Sequence, residues 1–412
     1  MYPLILRLFV KRFCFLTIIP LIGLTLLSTI PKVSAQLPPE FGQELLLPEP
    51  KQKETTPPAF TIDTHISNTY NDHIEFGLSV DPYISSLAGQ ENPQLQGLIN
   101  QFGINLRGEL PIVDRKLHLK LQYTPQYENY TGAEGKLNEF DAASNFLLTE
   151  LRYRPFTNLP EIAVSQQLQR LSRSLSVYNN NEYQSGIRIG RLLEYNFRLQ
   201  HFDDDERKRE DFLLVGSTNH KVTTRLQLGL LKQVIGKADY AIEHGSYQTN
   251  LNTFILGAAN IADDQRRTDW RHFGTVKLLQ TAADRYVFQQ EVNLFLNQSN
   301  IDYFNFSSTE TALSAYYKLD VGRSIRLRLF HLWVNFEGRN LRDADGRIIE
   351  NAGIRKDTQY GLNASMNWIF TSNLSLNADY QFIHNDTNEL NEILSFLDYN
   401  HNIVSVTLKG NY

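Results

Sequence analysis

Residues 399–412 read YNHNIVSVTLKGNY, and this stretch decides the fold. Val404, Val406, Leu408, Gly410 and Tyr412 share one parity; Ile403, Ser405, Thr407, Lys409 and Asn411 share the other. Side chains of a strand alternate between faces, so the segment is a strand with one mostly apolar face and one mostly polar face. Its apolar parity ends on the ring of Tyr412.

The same dyad pattern fills the chain from about residue 60 onward. Leu117, Leu119, Leu121 and Tyr123 alternate with His118, Lys120, Gln122 and Thr124. Leu226, Leu228 and Leu230 alternate with Arg225, Gln227 and Gly229, and Tyr286, Phe288, Val292, Leu294 and Leu296 with Gln289, Glu291, Asn293 and Asn297. Tyr360 to Phe370 and Leu374 to Phe382 repeat it. Each run is close to the roughly 9–11 residues that a strand needs to cross a bilayer. The breaks between runs alternate in length. Short ones fall at 113–115, 157–159, 218–222, 282–284, 322–323 and 371–373; longer polar ones fall at 132–142, 203–210, 236–268, 338–357 and 385–398. Across 371–373, pairing Phe370 with Leu374 sets Trp368 against Leu376 and Met366 against Ala378 on the apolar face. The same register sets Asn367 against Asn377 and Ser365 against Asp379 on the polar face. A three-residue turn therefore keeps both faces pure.

Strand style, closing strand and turn pattern together resemble the porin-like β-barrels of the Gram-negative outer membrane. The resemblance covers residues 60–412 as a pattern rather than as a motif. It implies an all-β, antiparallel up-and-down transmembrane β-barrel with short periplasmic turns and longer extracellular loops. About sixteen strands are expected, or up to eighteen, because 60–84 and 247–261 can be divided in more than one way. In that family the outward apolar face and terminal aromatic of the last strand form the signal read by the barrel-assembly machinery. The resemblance thus gives Val404, Val406, Leu408 and Tyr412 that role, while Gly410 departs from the bulky residue usual two places before the end.

The N-terminal sequence agrees with export. Arg7, Lys11 and Arg12 precede an apolar stretch from Phe13 to about Leu27, and Val33-Ser34-Ala35 is a small-residue cleavage site, so residues 1–35 read as a signal peptide. Residues 36–58 are proline-rich and charged and read as a disordered periplasmic linker, leaving 59–412 as the barrel. Cys14, the only cysteine, lies inside the signal, so no disulfide, thiolate metal site or cysteine nucleophile is expected in the mature chain.

Beyond the signal no run of about 18 apolar residues remains, which excludes a helical membrane protein. The mean hydropathy of -0.35 looks soluble, yet a barrel hides its lipid face in alternation. A net charge of -5 and a pI near 6.1 argue against nucleic acid as a partner.

Charges facing lipid cost about 2–4 kcal/mol at the midplane, so parity sends them inward. The expected lumen lining is Arg107, Lys120, Glu150, Arg152, Arg154, Arg188, Arg198, Arg225, Lys318, Asp320, Arg326 and Arg328, with Lys277, Lys409, Glu109, Glu291 and Asp379 on the same face. Asp320 is expected to pair with Arg326, and Arg326, Arg328, Arg152 and Arg154 are candidates for a constriction. A net basic wall favours anions in an open pore; paired charges in a filled interior are the competing reading. Tyr123, Tyr127, Tyr153, Tyr195, Phe197, Trp270, Tyr286, Trp333, Trp368, Phe370, Tyr380 and Tyr412 are expected to form interfacial girdles.

These features point to a porin-like channel for passive diffusion of small hydrophilic solutes. The competing readings are a barrel serving envelope assembly or polysaccharide export and, further off, an outer-membrane lipid hydrolase. For the hydrolase, Ser217, Asn219 and His220 are close in sequence but fall on an expected turn. His201, His272, His331 and His384 are expected near the extracellular rim without a recognisable serine partner. No cofactor and no metal are expected; the Asp343-Ala344-Asp345-Gly346 stretch lacks the remaining calcium ligands. Expected partners are outer-membrane lipids, the barrel-assembly machinery and small hydrophilic solutes, with homo-oligomerisation left open.

Overall fold

The computed structural model describes residues 59–71, 97–113, 116–132, 141–156, 159–173, 179–202, 216–231, 233–250, 266–283, 285–341, 353–388 and 399–412. Sixteen strands pair with their sequence neighbours, and the last pairs with the first, closing the sheet. The first half comprises β1 (Ala59–Asn71), β2 (Gly97–Val113), β3 (Leu117–Gly132), β4 (Ala142–Tyr153), β5 (Ile162–Arg173), β6 (Asn180–Ile189), β7 (Leu193–Phe202) and β8 (Ser217–Leu231). The second comprises β9 (Val234–Asn250), β10 (Arg266–Ala282), β11 (Tyr286–Ser299), β12 (Phe306–Lys318), β13 (Arg323–Asn340), β14 (Ile354–Thr371), β15 (Leu374–Thr387) and β16 (Tyr399–Asn411). Every pairing is antiparallel. Full closure leaves no strand edge, which a lipid environment demands because backbone groups find no water there.

The start of β1 and the end of β16 lie at the same end of the barrel, with Asp63 opposite Asn411. Backbone bonds between Ile62 and Tyr412 in both directions extend the closure one residue further. Short turns gather at this end, the periplasmic one by the layout of such barrels. Here Gly190 takes φ +56 in the β6–β7 turn and Ala283 takes φ 53 in the β10–β11 turn.

Gly410 has a local reason. It pairs with Thr64, and a Cβ placed on it would stand 3.0 Å from the Thr64 hydroxyl and 3.1 Å from the Tyr412 ring. The aromatic ring therefore lies over the glycine and covers the backbone that a bulky side chain covers elsewhere.

Sixteen is the lower of the expected counts. Trp368 faces Leu376, Met366 faces Ala378, Asn367 faces Asn377 and Ser365 faces Asp379, as the parity argument requires. At the turn itself Leu374 faces Thr371 rather than Phe370, because a bulge between Ile369 and Thr371 absorbs the extra residue.

Three expected breaks are corrected. Residues 218–222 lie inside β8, and the true turn joins Leu231 to Val234. The upper half of β8 is polar on both faces, which in sequence imitates a turn. Residues 236–250 belong to β9 and 266–268 to β10, so the loop expected over 236–268 shrinks to 251–265, outside the described residues. Likewise β13 runs to Asn340 and β14 begins at Ile354, inside the expected 338–357 loop. The short turn at 190–192 escaped the sequence reading. The signal peptide, the linker, the segment 72–96 and the 203–210 and 343–346 stretches lie outside the described residues.

Candidate functional site: the inner wall

The register assigns the faces. Arg198 on β7 reaches Glu243 on β9 at 3.6 Å, Arg188 on β6 reaches Glu150 on β4 at 3.6 Å, and Arg152 on β4 reaches Glu109 on β2 at 3.6 Å. Side chains two strands apart converge only on the concave side of a closed sheet, so this parity is the lumen face. The opposite parity carries exposed apolar residues such as Leu228, Leu313, Leu329 and Val404. The expected girdle aromatics with a cross-strand partner fall on this outer parity; Phe370 stands in the bulge and Tyr412 just past the end of β16. Outward apolar side chains bounded by aromatic rings are what a bilayer stabilises.

On the inner side one ion-pair network lies towards the periplasmic end. Arg152 bonds Glu150 at 2.5 Å, Arg188 also approaches Glu161 at 3.4 Å, Arg154 lies 3.6 Å from Glu161, and Arg225 bonds Glu194 at 2.7 Å. A second network climbs towards the extracellular mouth. Glu243 accepts from Arg271 at 2.8 Å; Arg271 lies 3.4 Å from Asp269; Asp269 accepts from Arg267 at 2.5 Å. Asp269 is fully buried, and Arg267 stacks on the rings of Phe304 and Tyr247. Arg328 bonds Glu310 at 2.5 Å, and Lys277 lies 3.6 Å from Glu291.

Arg107, near Asp63 at 3.5 Å, and Lys120, Glu150, Arg152, Arg188, Arg198, Arg225, Arg326 and Arg328 all take the inner parity. Arg154 and Lys318 stand at the periplasmic rim, beyond or at the strand ends. Asp320 does not pair with Arg326. It sits exposed in the β12–β13 turn, where Arg323 and the Gly322 N–H hydrogen-bond it and hold its carboxyl below its usual range. The i,i+3 spacing in this four-residue turn brings Arg323 within reach, whereas Arg326 points into the barrel. β4 and β13 are seven strands apart by the shorter way round, hence nearly opposite.

The inner acids outnumber those picked out by sequence: Asp63, Glu194, Glu243, Asp269 and Glu310 join them, so the wall is less basic than expected. Glu243 and Arg267 were missed because their segment read as loop, and Asp269 and Arg271 because they stand just past its expected end at 268. Asp239 and Glu243 alternating with Tyr240, Ile242 and His244 was the available signal. Also unforeseen is an inward phenylalanine stripe, Phe273–Phe295–Phe306–Phe336, with ring centroids 4.8, 5.0 and 5.8 Å apart.

Charge is unevenly spread. Lys120, Lys318, Arg326 and Lys409 have no carboxylate within ion-pair distance among the described residues, and all lie near the periplasmic ends of their strands. Along the closing seam, in the periplasmic half of β14 to β16 and β1, the wall is rich in short neutral groups, with Asp63, His65 and Asp379 among them. Thr69 and Ser67 bond to Ser405 and Thr407 across the closing seam. A recess of about 480 Å³ beside it is lined by Ser324, Arg326, Ser365, Asn377, Asp379 and Lys409 among others. The Ser217/His220 pair cannot act together: Ser217 faces the lumen and His220 faces outward, stacked near Tyr195 and Phe197.

A closed sixteen-stranded sheet with an apolar outer face, two aromatic girdles and a charged inner face defines an outer-membrane β-barrel of porin-like architecture. No family model matches the chain, and no curated protein matches it. Among solved structures, Pseudomonas aeruginosa OpdL is similar at 9% identity and a TM-score of 0.43, over 86% of this chain and 98% of that one. Pseudomonas aeruginosa OprD is similar at 9% and 0.43, over 86% and 95%. A bacterial polysaccharide outer membrane secretin gives 8% and 0.44, over 85% and 98%. The fold stands on the strand pairing, not on these likenesses.

Proposed function

We propose that the barrel is a channel for passive diffusion of small hydrophilic solutes, with a preference for anions set at its periplasmic mouth. The supporting observation is the closed ring of sixteen strands whose inner side chains are polar and largely ion-paired. Barrels of sixteen to eighteen strands are wide enough for an aqueous path. Paired charges contribute little net field, so selectivity falls to the cations with no carboxylate at ion-pair distance among the described residues, Lys120, Lys318, Arg326 and Lys409. Arg328 is a weaker candidate, since Glu310 neutralises it.

Purified protein in a planar bilayer is expected to conduct, with a reversal potential in a salt gradient that favours anions. Replacing Arg326 and Lys409 by glutamine is expected to move that potential towards cation preference, while Arg328→Gln, which leaves Glu310 unpaired, should move it in the same direction. An unchanged potential in the double variant would remove the mouth from the selectivity reading. A barrel that assembles, as judged by a heat-modifiable gel shift, yet never conducts would remove the channel itself.

A further inference from the structure

The outer face of β3 to β7 carries two registered rows. Tyr123, Leu147, Leu168, Tyr183 and Leu199 face one another in sequence across the five strands. One step nearer the extracellular end, Asn145 faces Arg170, Arg170 faces Asn181 and Asn181 faces His201. The first row is apolar and half-exposed, with Leu168 50% accessible, and the second holds two basic groups, two amides and no carboxylate. A groove of about 350 Å³ runs between them, its wall mainly apolar, with the inward-parity Glu182 of β6 also among its lining residues.

The depth of this boundary fits a lipid headgroup. Arg170 and His201 lie eight residues from the periplasmic ends of β5 and β7. At about 3.3 Å per residue and a tilt near 40° this is roughly 20 Å, close to the far edge of the apolar band. The hydrogen bonding sets the polarity of the upper row. The Tyr123 hydroxyl donates to Asn145 Oδ1 at 2.8 Å, so the group that Asn145 offers a ligand is its NH₂ donor. The pattern recurs round the barrel, where the Tyr380 hydroxyl donates to Asn402 Oδ1 at 2.9 Å and the Tyr195 and Tyr240 hydroxyls meet His220 and His272 at 2.9 and 2.8 Å. The periplasmic girdle of Tyr153, Tyr286, Trp368 and Phe370 contains no such histidines.

A row of N–H donors and a guanidinium above an apolar groove matches an amphiphile with acyl chains below and anionic oxygens above. We propose that this surface binds a phosphate-bearing lipid of the outer leaflet, its acyl chain against Leu147, Leu168 and Leu199 and its phosphate on Arg170, His201 and Asn145.

Dioleoyl phosphatidic acid and dioleoylglycerol share acyl chains and differ by the phosphate, so they make the test. Native mass spectrometry of the detergent-solubilised barrel is expected to retain the phosphatidic acid at least several-fold over the diacylglycerol. R170Q/H201F should erase that preference without lowering diacylglycerol retention. Leu168→Trp, which fills the groove, should lower retention of both, and keeps the test decisive should the double variant fail to assemble. Equal retention of the two lipids by the wild type would overturn the proposal, as would a preference that survives either R170Q/H201F or L168W.

Discussion

At the scale of single residues, the inner wall is held by charges that would be ruinous alone. Asp269 is removed from water and survives because Arg267 and Arg271 flank it and the Tyr247 hydroxyl donates to it. Removing one partner of a buried ion pair costs about 3–5 kcal/mol, since the remaining charge keeps its desolvation penalty. Asp269→Ala is therefore expected to lower barrel stability by about 3 kcal/mol, read as a lower temperature for loss of the compact gel form. Replacement of exposed Asp320 should change that temperature little, because an exposed pair is screened by solvent. None of this was legible in the sequence around Asp269. Parity could have placed it, but a boundary drawn at 268 hid Arg267 and detached the cluster from its strand.

At the scale of elements, β8 and β9 explain where sequence reading succeeds and fails. Their lower halves alternate sharply, Leu226, Leu228 and Leu230 against Arg225 and Gln227, because one face meets hydrocarbon and the other water. Above the hydrocarbon edge both faces meet polar surroundings, so alternation fades while strand pairing continues. Ser217, Thr218, Asn219, His220 and Lys221 thus resemble a turn yet pair fully with β9. The consequence is measurable, since the only native cysteine is Cys14. A single cysteine at 221, on the inner face, should react with membrane-impermeant thiol reagents that enter from the lumen, and one at 222, on the outer face where the apolar run begins, should favour lipid-phase reagents. Uniform labelling of the two positions would restore the turn. Strand count, hairpin register at 371–373 and the girdles were readable because they lie where the two solvents differ most. Bulges and strand ends were not, since one added residue leaves composition unchanged.

At the scale of the whole molecule, closure joins β1 to β16 across more than 330 residues of chain, with Ser67 and Ser405 as one contact. That seam differs from the rest of the ring. From β2 to β13 the wall carries long paired side chains; towards the periplasmic half of β14 to β16 and β1, short groups such as Ser365, Asn367, Ser375, Asn377, Ser405, Thr407, Ser67 and Thr69 predominate, beside a recess of about 480 Å³. A conduit with one bristling bank and one shallow bank has its free cross-section off centre. Electrical current through such a barrel would hug the seam, where water lies against short neutral groups. The same bulky thiol adduct should then block unequally: at Ser405→Cys it should remove a larger share of single-channel conductance than at Thr275→Cys on the opposite bank. Equal block would mean that the conducting path is central and the seam is merely thin.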